Sequence, residues 1–347
     1  MERCCAHVTR TRCGEIGVKS PRSHVRDRRH AWTVRREAPV GPQMGSLLAW
    51  SLELSASGML KAGSTTAPLL ARLPAGTRIF LPALPADPPS AIEEALLLMR
   101  RENRELVPVP HIAASREQSV ATLEKRLADW QRASSDNIRE ALIVRGDPHA
   151  THSTEDAPST SGAGGAFKTS LELLETDALQ RCGLEAVSLC GHPEGVGGLS
   201  VDEARSALKA KLQWADAASV RARVVTQFCF DSATTTGFVD ALRADGVRTD
   251  VSLGIVGPDC SMAIRQRMAA RCGVAPPASP YVTPYMRWLA HWLEQRGDAG
   301  AQALHIYPFA NLGATLRKLS DFSEDDSLRA DGSRYASFTL EPPPPPP

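Results

Sequence analysis

The sequence predicts an α/β fold, a (β/α)8 TIM barrel, and three observations predict it. Eight short apolar runs containing β-branched residues alternate with amphipathic helical stretches, the pattern of parallel βα units. The alternation fills about 285 residues, the usual size of such a barrel. No Gly-x-Gly-x-x-Gly follows the first run, where a doubly wound sheet more often carries one.

The strands fall, in order, at 47–54, 78–83, 105–111, 141–145, 186–190, 223–228, 251–256 and 303–308. A helix follows nearly every strand, at 90–101, 117–131, 170–181, 201–214, 234–244, 261–270 and 284–294. The first helix, near 66–73, has the weakest pattern. Trp130, Trp214, Trp288 and Trp292 fall on helical faces, where they pack against the barrel or against a partner subunit. An assembly of identical chains therefore stays open.

Three segments divide the chain: a basic extension over 1–43, the barrel over 44–325, and a tail over 326–347 ending in Pro342 to Pro347. The extension holds nine Arg and Lys19 against Glu2, Glu15, Asp27 and Glu37, with little hydrophobic periodicity, so it buries too little surface to fold alone. It reads as a flexible arm, as a mitochondrial-type transit peptide, or as sequence upstream of a start at Met44. The tail is a polyproline II run. Forty Lys and Arg against thirty-nine Asp and Glu leave a net charge of +1, which removes any global field toward nucleic acid or an anionic membrane. No apolar stretch approaches the roughly 18–20 residues of a membrane span. Eight cysteines without a Cys-x-x-Cys pair, in a chain long enough to build a core, point to a reducing, cytoplasmic setting, with the mitochondrion as the alternative if 1–43 is a transit peptide. Cys4, Cys5, His7 and Cys13 match no standard zinc spacing.

Barrel enzymes carry their sites at the C-terminal ends of the strands. Here those ends are polar: Glu53, His111, Arg145-Gly146-Asp147, His192-Pro193-Glu194-Gly195, Thr226-Gln227 with Asp231 beyond, and His305 with Tyr307. Each alone has a structural reading, as an ion-paired strand Glu, a loop-capping His or a turn. Together they place carboxylates, an amide and imidazoles at one mouth, which suits a flat heterocycle with mixed donors and acceptors. A carboxyl group there acts as general acid where its surroundings keep it protonated. Neither a His-x-His strand end nor a carboxylate-rich set is present to enclose a metal, and none is assigned.

The same residues resemble the methylenetetrahydrofolate reductase family over most of 47–320. The resemblance rests on Ser51-Leu52-Glu53, Val109-Pro110-His111, Val144-Arg145-Gly146-Asp147-Pro148, Gly191-His192-Pro193-Glu194-Gly195, the Lys211 region, and Val225-Thr226-Gln227-Phe228-Cys229-Phe230-Asp231, six short motifs in register. It implies ping-pong hydride transfer through FAD, from NADH or NADPH to 5,10-methylenetetrahydrofolate or in the reverse, catabolic sense. By the resemblance Glu53 is the general acid, Asp147 the carboxylate that tunes charge near flavin and folate, and Gln227 the grip on the pterin. His111, Arg145, Gly146, Asp147, His192 and Lys211 would line FAD, with Lys209 the alternative to Lys211.

The chain also departs from that family. Leu54-Ser55-Ala56-Ser57 replaces Phe-Phe-Pro-Pro, Phe80-Leu81-Pro82-Ala83 stands where a Thr-Tyr pair is common, and Val196 occupies the place of a flavin-side imidazole. Two other readings therefore stand beside the reductase: a catalytically impaired folate- or flavin-binding relative, and an unrelated barrel lyase or hydrolase. The segment 149–166, rich in Ser, Thr, Gly and Ala after the fourth strand, reads as a lid or as a disordered insertion.

Overall fold

A computed structural model describes residues 43–44, 48–146, 165–196, 198–277, 289, 292, 301–309 and 311–324. The extension up to residue 42, Asp147, the segment 149–164 and the tail 326–347 lie outside these residues, as does the predicted helix 284–294 apart from Leu289 and Trp292.

Eight parallel strands close on themselves: β2 (Leu48–Glu53), β3 (Arg78–Leu81), β4 (Val107–Ala113), β5 (Glu140–Val144), β6 (Ala186–Gly191), β7 (Arg221–Thr226), β8 (Asp250–Val256) and β9 (Ala301–Tyr307). Each pairs with the next, and β9 pairs back with β2 through Ser51 opposite His305. A two-residue strand β1 (Gln43–Met44) adds an antiparallel pairing to β2. The fold is the TIM barrel the alternation predicts. No helix among the described residues is long and apolar enough to cross a membrane.

Strand ends follow local chemistry. Val107 N–H donates to Thr77 O at 2.9 Å, so the odd residues of β4 turn their N–H groups to β3. Pro108 and Pro110 lack theirs on the β5 side, where pairing begins only at His111 opposite Leu142. The helices start on side-chain caps. Ser119 and Ser200 form reciprocal capping boxes with Thr122 and Glu203 at α4 (Val120–Ser134) and α7 (Val201–Ala217), and Asp231 caps α8 (Ser232–Ala244) through Thr234 N at 2.7 Å.

Two expectations shift. The weak first helix is a pair, α1 (Ala56–Lys61), capped by Ser55, and α2 (Gly63–Ala71). The stretch 170–181 is broken into α5 (Ser170–Leu174) and α6 (Ala178–Arg181) because Asp177 takes a left-handed φ of 56°.

Alternation along the strands separates two cores. Leu52, Ile79, Ile112, Ile143, Leu189, Val224, Leu253 and Ile306 point outward and pack with Leu96 of α3 (Ala91–Glu102), Leu127 of α4, Leu208 of α7 and Phe238 of α8. Inside, Phe80, Val109, Leu142 and Val225 form a separate buried apolar layer. Below it, toward the N-terminal ends, Glu140 is held by Arg78 at 3.2 Å, Arg223 at 3.6 Å and the Ser188 hydroxyl at 2.5 Å.

One glycine sets the fit of β8 against β7. A Cβ at Gly254 would lie 2.3 Å from Thr226 O and 2.8 Å from Phe228 N, both backbone atoms that cannot rotate away. Gly254→Ala is expected to cost about 1–3 kcal/mol, read as a lower urea midpoint with unchanged slope.

Candidate active site

Ser51 and Glu53 share the inner face of β2, and barrel closure brings them to β9. Ser51 Oγ lies 2.9 Å from His305 Nδ1, and His305 Nε2 lies 3.5 Å from Glu53 Oε2. From β4, His111 Nε2 approaches the same oxygen at 3.6 Å. His305 is fully buried and His111 nearly so, whereas the Glu53 side chain retains 19% exposure. Neither Nε2 atom has a hydrogen-bond partner among the described residues, so both converge on a carboxyl group that opens toward solvent.

Apolar rings shape this corner. Phe80 stands edge-on to His305 (4.6 Å between centroids) and to His111 (6.2 Å), and Tyr307 stands edge-on to His305 at 4.7 Å. Burial pushes the His111 pKa down to about 4, against the smaller upward pull of Glu53, so this imidazole is neutral at neutral pH. Burial first, then Glu53, raises the Tyr307 phenol well above its ordinary value. Its hydroxyl donates to Thr226 O at 3.1 Å. Phe228, Val256, Cys260, Val274 and Tyr307 form a further apolar cluster at the ends of β7 to β9, joined by Ile264, Met268 and Cys272 of α9 (Met262–Cys272).

The other predicted residues that the structure describes stand at strand ends around the same mouth or on the helix that follows β6. Arg145 and Gly146 follow β5, with Arg145 exposed and Gly146 at a φ of 80°. A Cβ on Gly146 would meet Ser115 Oγ at 2.5 Å, so the backbone passes close to the turn after β4. Gln227 extends from β7 with its Oε1 accepting from Phe228 N–H at 3.1 Å. His192 follows β6, and its pKa is pushed down to about 4 by burial and then by the charge of Lys211.

The two lysines separate cleanly. Lys209 pairs with Asp245 at 3.2 Å, while Lys211 lies within electrostatic reach of Cys190 and His192, with its pKa lowered by burial. Two helix positions apart turn about 200° around the axis, which is why one lysine faces outward and the other the barrel.

Sequence reasoning missed three roles. Ser51 and His305 were visible as polar residues, but their meeting with Glu53 depends on the closure register. Glu194 is a clasp: Oε1 accepts from the Cys229 thiol at 3.0 Å and Oε2 from Ala275 N–H at 2.6 Å, tying the segment after α9 to the ends of β6 and β7. Val196, in the place where the resembled family has an imidazole, is 37% exposed and bridges Leu199. Among the described residues no three His, Cys, Asp or Glu side chains are arranged to hold a metal ion.

No protein-family model matches the chain. Among solved structures, it is similar to an aldo-keto reductase from Klebsiella pneumoniae in complex with NADPH, at 13% identity over 88% of this chain and 96% of that one, with a TM-score of 0.45. It is also similar to the aldose reductase from Schistosoma japonicum, at 11% identity over 80% and 85% of the two chains (TM-score 0.40). The catalytic domain of a mannanase from Streptomyces sp. SirexAA-E is similar at 10% identity over 82% and 85% (TM-score 0.39).

Proposed function

We propose that the chain is a flavin-dependent reductase of the methylenetetrahydrofolate type, moving hydride between NAD(P)H and 5,10-methylenetetrahydrofolate to give 5-methyltetrahydrofolate, or running in reverse. The observation that carries the reading is the Glu53 carboxyl at the barrel mouth, approached from two sides by buried imidazole nitrogens that have no hydrogen-bond partner among the described residues. Gln227 stands at a strand end of the same mouth.

The donor set fits a flavin dinucleotide. Lys211 is half-buried, and no carboxylate among the described residues pairs with it, so its ammonium is left for a pyrophosphate. His192 beside it is neutral and offers a ring N–H. Arg145 is exposed at the rim, and Gly146 lets backbone come close where a side chain would clash with Ser115. When bound, FAD supplies the hydride-carrying N5 that alternates between nicotinamide and folate.

The chain's own residues supply the proton and the orientation. Glu53 gives the proton that opens the folate's bridging ring to an iminium, and takes it back when the reaction runs the other way. Gln227 turns its amide to the pterin edge, which presents both donors and acceptors. Asp147, beyond the described residues, tunes charge beside the ring system. Phe80 and Tyr307 keep the Glu53 corner apolar, which strengthens every hydrogen bond made there.

The expected result is a purified, FAD-reconstituted protein whose visible flavin band bleaches anaerobically with NADH or NADPH and returns on adding methylenetetrahydrofolate. Bleaching without return would replace folate by another acceptor. A protein that stays colourless after FAD is supplied would overturn the reading.

A further inference from the structure

We propose that His111 and His305 are positioning residues that clamp Glu53 Oε2 from two sides and leave Oε1 as the oxygen that carries the transferable proton. The inference rests on the reading of Glu53 as a proton donor.

Both Nε2 atoms are buried, both lack a hydrogen-bond partner among the described residues, and the carboxylate oxygen each approaches is the same one, Oε2, at 3.6 and 3.5 Å. Oε1 makes no hydrogen bond to the described residues, and the side chain's remaining exposure opens toward the mouth. An imidazole nitrogen that accepts a hydrogen bond leaves the N–H on the other ring nitrogen. For His305, a Ser51 hydroxyl donating to Nδ1 puts that N–H on Nε2. His111, neutral at neutral pH, gives its own Nε2–H by the same convergence.

The proton balance follows. The Oε1–H bond breaks, the proton passes to a basic nitrogen of the substrate, and the bonding pair stays on the carboxylate. Negative charge then spreads onto Oε2, where two N–H groups meet it. The present separations of 3.5 and 3.6 Å exceed a hydrogen bond by about half an ångström, and contraction comes as the charge forms. The clamp therefore places two donors where the charge of the transfer's product gathers.

Among the described residues, the titratable groups that face Glu53 are His111 on β4, His305 and Tyr307 on β9, Cys190 on β6 and Cys272 on α9. Burial holds the thiols and the phenol protonated, with Cys190 pushed up to about 11, so they do not change charge between pH 4 and 7.

The test is an infrared pH titration of the Glu53 carboxyl band, assigned by its loss in Glu53→Gln, on the purified full chain without substrate. His111→Leu and His305→Leu should each raise the midpoint by about one pH unit, a tenfold change in the ionisation equilibrium. His111→Asn and His305→Asn, which keep an N–H, should restore most of it. Should His305→Leu fail to fold, Ser51→Ala replaces it, because losing the hydroxyl frees the His305 tautomer and should raise the midpoint in the same direction. A midpoint that stays fixed or falls in the folded variants overturns the clamp. The titration needs neither flavin nor folate, so failure of the reductase reading would register in the bleaching experiment and not here.

Discussion

Glu53→Gln is expected to leave reduction of the flavin by NAD(P)H near the wild-type rate and to slow reoxidation by methylenetetrahydrofolate by about 10²–10⁴-fold. Glutamine keeps the shape of the side chain and an oxygen that His111 and His305 can meet, so the local packing survives. It has no proton to give. Hydride transfer from nicotinamide needs none from this group, whereas opening the bridging ring of the folate does. Anaerobic stopped-flow measurement of the two half-reactions separates the cases. Equal losses in both halves would make Glu53 a binding group and remove it from the proton transfer.

Glu140→Leu should be the most destabilising single change outside the mouth, at about 3–5 kcal/mol. The carboxylate is buried at the base of the barrel between Arg78 and Arg223, and its removal takes from Arg78 a partner at 3.2 Å and from Arg223 one at 3.6 Å, leaving Arg223 with Asp250 at 3.9 Å. Against a typical total of about 5–15 kcal/mol, that loss is a large fraction. Burial alone would raise the Glu140 pKa, but Arg223, Arg78 and the Ser188 hydrogen bond outweigh it and hold the carboxyl below its ordinary range. Arg78 is lowered by its own burial and by Arg223, yet a guanidinium remains protonated throughout the accessible range. A depressed carboxylate contributes stability that is present above its unfolded pKa and lost as pH falls through the folded one. The wild type should therefore lose stability on that acid limb, and Glu140→Leu should show a flatter one. Urea denaturation at pH 7 and at a series of acid pH values measures both effects.

Much of the barrel was legible because its strands alternate between two apolar environments. Strand 251–256 needed only Asp250 added, and 78–83 ended early at Leu81, before Pro82. The break at Asp177 was hidden because a left-handed residue other than Gly carries no strong sequence mark. At the mouth, Glu53 was legible as the polar end of the first strand. His305 was legible as another polar strand end, but its pairing with Glu53 was not, since the two lie far apart in sequence and meet only through the β2–β9 register, which no local pattern specifies. Lys209 and Lys211 could not be told apart until the orientation of α7 placed one beside Asp245 and the other toward Cys190.

The apolar layer of Phe80, Val109, Leu142 and Val225 lies between the Glu140 cluster and the Glu53 corner. It works as a septum, making the barrel a vessel open at one end. Glu53 keeps 19% exposure at the mouth, so a proton it gives up is expected to be replaced from the side by which substrate enters. Turnover and reprotonation thus share one doorway, and a ligand seated there holds Glu53 in whichever protonation state it had on closure until the ligand departs.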